Sequence, residues 1–115
     1  MGLFTVSEAR DELKRLRPVL EEIVTLRADA AELGAGPPTT LGGLPEFKAV
    51  TARLDELLTQ VQQSGALLKS LAPLLVDFPS DLDGAEVDLC WLEGDKSLDW
   101  YHRSDLGFAG RRRLP

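Results

Sequence analysis

Three observations predict an α+β domain, a long antiparallel helix hairpin packed on a three-stranded antiparallel β-meander. Apolar residues recur every three to four positions up to Leu68, they alternate at period two from Leu74 to Arg103, and a Gly/Pro-rich stretch separates two helical runs. At 115 residues the chain fits a single domain, 1–115, with one modest core. The hairpin is expected over about 6–68 and the meander with a C-terminal return over about 73–115.

Thr5 and Glu8 are spaced as a capping box, with Phe4 as the apolar residue that staples the entry. Ala9, Leu13, Leu16, Leu20, Ile23, Arg27 and Ala30 then follow at spacings of four and three, which is one face of a helix. Pro18 falls inside it, and because the stripe continues in register a bend is expected there and not an end. Gly34 to Gly43, with paired prolines, cannot stay helical and reads as a flexible connection. A second stripe, Phe47, Val50, Leu54, Leu57, Val61, Ser64 and Leu68, follows Pro45, and Gly65 suits a cap. Helices of this length extend ~30–40 Å. That is more than the remaining residues can cover, so a second copy is expected to meet part of the stripe.

Leu74 to Phe78, between Pro73 and Pro79, reads as a strand, and Asp83-Gly84 is a turn signal. Val87, Leu89 and Trp91 alternate with Glu86, Asp88 and Cys90, up to Gly94-Asp95, which suits a two-residue hairpin turn. With that turn, Trp91 faces Leu98, Leu89 faces Trp100 and Val87 faces His102 on an apolar side shared with Leu74, Val76 and Phe78. Cys90 then faces Asp99, Asp88 faces Tyr101 and Glu86 faces Arg103 on a polar side that includes Asp77.

Several short motifs lie along the chain in a particular order. They are Phe4-Thr5 with Glu8-Ala9, Arg17-Pro18, Val76-Asp77-Phe78-Pro79, Asp83-Gly84 with Glu86-Val87, Leu89-Cys90-Trp91 with Gly94, His102, and Gly107-Phe108-Ala109-Gly110-Arg111. Together they resemble an uncharacterised bacterial family, the domain of unknown function 2203. The resemblance covers nearly the whole chain, and its C-terminal half is the specific part. It implies a fold and a cluster of interest, without an activity.

Net charge is −6, with eight acids against Lys96 between residues 77 and 99 and four arginines against Asp105 after residue 99. The acidity repels phosphate backbones, so no nucleic acid is expected as a partner. No apolar run approaches the ~18 residues of a membrane span, and the N-terminus lacks a basic-then-apolar leader. The cytoplasm is the expected compartment, and a single cysteine agrees with a reducing one.

His102 is the leading site candidate, since imidazole titrates near neutrality and ligates metals. The bland reading is a buried ring bonded to backbone or carboxylate. The expected register sets Cys90 and His102 on opposite faces, so they cannot join in a zinc site within one chain. A dimer supplying two His102 with Asp105 is the metal reading. Asp77, Asp81, Asp83, Glu86 and Asp88 lack the glycine and twelfth-position acid of a helix-loop-helix calcium loop and read as a solvated sheet face, partly neutralised by Arg103. Cys90 reads as structural, because a neighbouring carboxylate raises a thiol's pKa. Trp91 and Trp100 line either core or a pocket. Phe108 is expected to plug the core, and Arg111 to pair with Asp77 or Glu86 or to hold an anion.

The first functional expectation is a non-catalytic interaction or structural module, a homodimer through the hairpin with no cofactor. The alternative is a metal- or anion-binding protein, with a hydrolase as its catalytic form, and a site at His102, Asp105, Asp77, Glu86 and Arg111 flanked by Trp91 and Trp100. Its cofactor would be a divalent metal on His102 and Asp105.

Overall fold

The computed structural model describes residues 3–35 and 43–115, so most of the expected connection, 36–42, lies outside the described residues. Contacts group the chain into two compact units, Arg17–Gln60 and Met1–Leu16 with Val61–Pro115.

Helix α1, Val6–Ala35, begins at the expected capping box. The Thr5 amide donates to Glu8 Oε1 at 2.9 Å and the Glu8 amide donates to Thr5 Oγ1 at 3.0 Å, satisfying two donors that the first turn leaves free. Thr5→Ala is expected to cost about 1 kcal/mol in denaturant unfolding. Adding Glu8→Ala should cost less than a second such increment, because the first change already breaks the reciprocal pair. The helix runs through Pro18. Ala9, Leu13, Leu16, Leu20 and Ile23 are all buried, as their spacing predicts.

In the Arg17–Gln60 unit, the later turns of α1 run antiparallel to α2, Gly43–Gln63. Arg53 donates to both oxygens of Glu22 at 2.9 and 3.1 Å, and the Phe47 ring lies against Gly34. Leu20, Ile23, Leu54 and Leu57 supply the buried strip. α2 stops at Gln63, short of the expected Leu68. Ser64 Oγ donates to the Val61 carbonyl at 2.5 Å, and Gly65 takes φ +93°. That left-handed angle suits glycine at a helix end.

The other unit contains a five-stranded antiparallel sheet in simple sequential order, and not three strands. Its strands are β1 Leu67–Leu71, β2 Leu74–Leu82, β3 Ala85–Leu92, β4 Trp100–Arg103 and β5 Arg112–Arg113. The expected meander is the middle three. β1 was hidden by leucines that also fit the helical stripe, and β5 is two arginines with no apolar alternation.

Asp83 at φ 53° and Gly84 at φ 85° form the tight β2–β3 turn, both central residues left-handed as a type I′ hairpin requires. It pairs Leu82 with Ala85, and hence Val76 with Trp91, Asp77 with Cys90 and Phe78 with Leu89. Leu74, Val76, Phe78, Val87, Leu89 and Trp91 thus share one buried face. Phe4 packs its ring edge-on against Phe78, centroids 5.4 Å apart at 87°. The adjacent backbone joins the sheet, since the Phe4 amide donates to the Pro79 carbonyl at 2.7 Å.

The β3–β4 connection departs from expectation. Observed pairs are Val87 with Arg103, Asp88 with His102, Leu89 with Tyr101 and Cys90 with Trp100, one residue away from the register a Gly94-Asp95 hairpin would impose. Asp95 is held against the end of β3: its amide donates to the Leu92 carbonyl at 2.8 Å, its carboxylate accepts from the Leu92 amide at 3.0 Å, and its carbonyl accepts from the Trp91 indole at 3.0 Å. Four more residues pass before pairing resumes at Trp100, with Leu98 fully buried among them. A slip of one residue moves every side chain of a strand to the other face. His102 and Trp100 therefore lie opposite to Val87 and Leu89, on the side of Asp77, Asp88 and Cys90. Among the described residues, no helix is long and apolar enough to cross a membrane.

Candidate functional site

The middle of the polar face is a sealed cluster on three adjacent strands. Asp77 on β2 pairs directly with Cys90 on β3, and His102 on β4 pairs with Asp88, two residues along β3 from Cys90. Asp77 is 1% exposed, Cys90 0% and His102 3%. One donor atom from each of Asp77, Cys90 and His102 lies within 4.8 Å of the others.

Hydrogen bonding orients the imidazole. His102 Nδ1 lies 2.9 Å from the Arg103 carbonyl, an oxygen that can only accept, so Nδ1 carries a proton. Nε2 lies 3.0 Å from Asp77 Oδ2. A single proton between them is held either as imidazolium with carboxylate or as imidazole with carboxylic acid, and the pair is neutral in both forms. Neutrality is what allows it to be buried, since an isolated ionised group in this setting is strongly disfavoured. Burial pushes the Asp77 carboxyl above its ordinary range, the His102 contact opposes that, and the nearby charge of Asp88 adds to it.

The second oxygen of this carboxylate, Oδ1, is buried and accepts no hydrogen bond among the described residues. Cys90 sits beside it as a thiol: burial first, then the Asp77 charge, pushes its pKa up to about 12, against the pull of Arg111. A thiol so placed is a poor nucleophile by itself. The carboxylate that raises the thiol's pKa is Asp77 and not the expected Asp99.

The remaining candidates part company. Arg111 follows the short 3-10 turn Phe108–Gly110 and pairs with Asp95, where Asp77 or Glu86 was expected. Its guanidinium lies 4.6 Å from the Trp100 ring centre and 5.3 Å from that of Phe108, a cation–π stack. Phe108 is 42% exposed, so it covers Arg111 and does not plug the core. Trp91 is buried on the other face, its indole turned to Asp95, while Trp100 is half-buried across from Cys90 and flanked by Arg111 and Arg113. Glu86 is exposed. Asp105, with its side chain 63% exposed, pairs with Arg103 at 3.0 Å. Both border a surface recess with Ala85, Arg103 and Ser104, apart from the sealed cluster. The structure thus brings Asp77 and His102 together on one face, where the expected register had set them on opposite faces, adds Cys90 to them, and leaves Asp105 and Glu86 outside.

Cys90 was missed because the assumed β3–β4 register put it across the sheet from His102. Its pairing with Asp77 was within reach, since the Asp83-Gly84 turn dictates it.

No curated protein and no solved structure matches this chain at a significant level. The model of a family described as an uncharacterized conserved protein, DUF2203, matches residues 2–114. That match spans essentially the whole sequence, and the chain belongs to the DUF2203 family.

Proposed function

We propose that this protein is a non-catalytic binding module that assembles as a homodimer through its helix pair. The observation that carries the assembly reading is the Arg17–Gln60 unit. Two helices facing each other bury one strip, here Leu20, Ile23, Leu54 and Leu57. Val24, Leu26 and Leu33 on α1 and Val50 and Leu58 on α2 stay only half-buried. A helix pair with apolar surface on both sides of its seam is the half of a four-helix arrangement. The non-catalytic part is supported by the sealing of Cys90, Asp77 and His102, which sets the chain's only thiol and only imidazole away from a substrate in solution.

Sedimentation of the untagged chain across a hundredfold dilution tests the assembly. At the higher concentrations a mass twice the 12.6 kDa of one chain is expected. Leu26→Glu combined with Val50→Glu should shift the equilibrium to monomer while far-ultraviolet circular dichroism stays helical. A wild-type mass of one chain at every concentration overturns the homodimer.

A further inference from the structure

We propose that Asp77, Cys90 and His102 form a centre for one divalent transition-metal ion of the zinc class, bound by the Asp77 carboxylate, Cys90 Sγ and His102 Nε2. This is independent of whether the chain pairs with a second copy.

Geometry is the first support. Around a tetrahedral zinc, with bonds of ~2.0–2.3 Å, neighbouring ligand atoms stand ~3.3–3.7 Å apart. Here the Nε2 to Oδ2 separation is 3.0 Å and the three donors lie within 4.8 Å of one another. Side-chain shifts of no more than about an ångström would seat an ion. The second shell is already set: a ligating histidine characteristically donates its other ring N–H to a carbonyl or carboxylate, and His102 Nδ1 does so to Arg103. Asp77 Oδ1, unpartnered on a residue 99% buried, is the independent observation. A buried acceptor without a donor is costly. A cation satisfies it, and coordination through both oxygens would supply a fourth ligand atom.

Charge balance selects the valence. Without metal the cluster holds two exchangeable protons, one on the thiol and one shared by Asp77 and His102, and is neutral. Binding M²⁺ expels both: the site then holds a thiolate, a carboxylate, a neutral imidazole and the dication, and is again neutral. A buried site that is neutral before and after the exchange incurs no net-charge penalty. Donor chemistry selects the class, because a thiolate with an imidazole favours zinc or cobalt over calcium or magnesium.

The test uses cobalt(II) as an optical probe on the untagged wild-type chain, stripped with chelator. Cobalt is added both to folded protein and during refolding from denaturant, so that sealing of the centre does not hide it. One equivalent is expected to produce a thiolate-to-cobalt charge-transfer band in the near ultraviolet, to release about two protons in weakly buffered solution near neutral pH, and to be displaced by zinc. Cys90→Ala should abolish the band, and Glu86→Gln with Asp105→Asn should leave it intact. If Cys90→Ala does not fold, the wild-type band and its stoichiometry decide. Absence of saturable uptake under both regimes overturns the proposal, as does uptake without the band or uptake that Cys90→Ala leaves unchanged.

Discussion

Replacing His102 by Ala is expected to cost about 3–5 kcal/mol of unfolding free energy in chelator-containing buffer, as breaking a buried pair from one side does. Asp77 Oδ1 already lacks a well-aligned partner, and the change would strip Oδ2 of its one hydrogen bond, leaving a carboxyl that is 1% exposed with only the Cys90 thiol beside it. Protonation of Asp77 removes the charge but still leaves an unpaired hydroxyl, so it recovers only part of the loss. Asp77→Asn offers the contrast. With Nδ1 protonated toward the Arg103 carbonyl, a neutral His102 presents a bare Nε2, and an asparagine amide can donate to it. That variant should lose only about 1 kcal/mol, the scale of one net hydrogen bond. Denaturant midpoints at constant m measure both. A His102→Ala cost no larger than that of Asp77→Asn would mean that the pair is not the coupled unit described.

Phe78→Ala is expected to be comparably damaging, at about 3–5 kcal/mol. Phe78 is 0% exposed on the second strand of the sheet, carries the edge-on contact with Phe4, and pairs across β3 with Leu89, itself fully buried. β3 on one side and the Phe4 ring against it give the vacated space little freedom to collapse. Phe108→Ala removes the same group from a site that is 42% exposed and rests on one guanidinium. It should cost under ~1 kcal/mol, the range of an exposed cation–π contact. Thermal and denaturant unfolding of the two variants side by side measures the difference between core and cover. Equal costs would mean that Phe108 is as much a core residue as Phe78.

Turn chemistry accounts for what could be read of the site in advance. Asp83-Gly84 was legible as a turn signal, and the left-handed angles it takes at both positions make it the two-residue connection that pairs Asp77 with Cys90. Gly94 does take φ +99° in a tight turn closed from Asp95 to Leu92. That turn caps β3 and does not join it to β4. What holds it are the bonds of the Asp95 carboxylate and carbonyl to Leu92 and Trp91, together with Arg111, from 16 residues further along. No local pattern announces a partner so distant, and the resulting one-residue offset sends His102 to the face of Cys90.

By itself the sequence determined the capping box at Thr5 and Glu8, the buried stripe from Ala9 to Ile23 on α1 and from Leu54 to Val61 on α2, the β2–β3 turn, the apolar face from Leu74 to Trp91 and the family, because each rests on periodicity or on residues close together in the chain. Tertiary structure alone decided the β1 and β5 edges, the β4 register and the placing of Cys90 beside Asp77 and His102. Those depend on where long-range hydrogen bonds and ion pairs stop a strand, and with a side-chain period of two an error of one residue there exchanges the inside of a sheet for its outside.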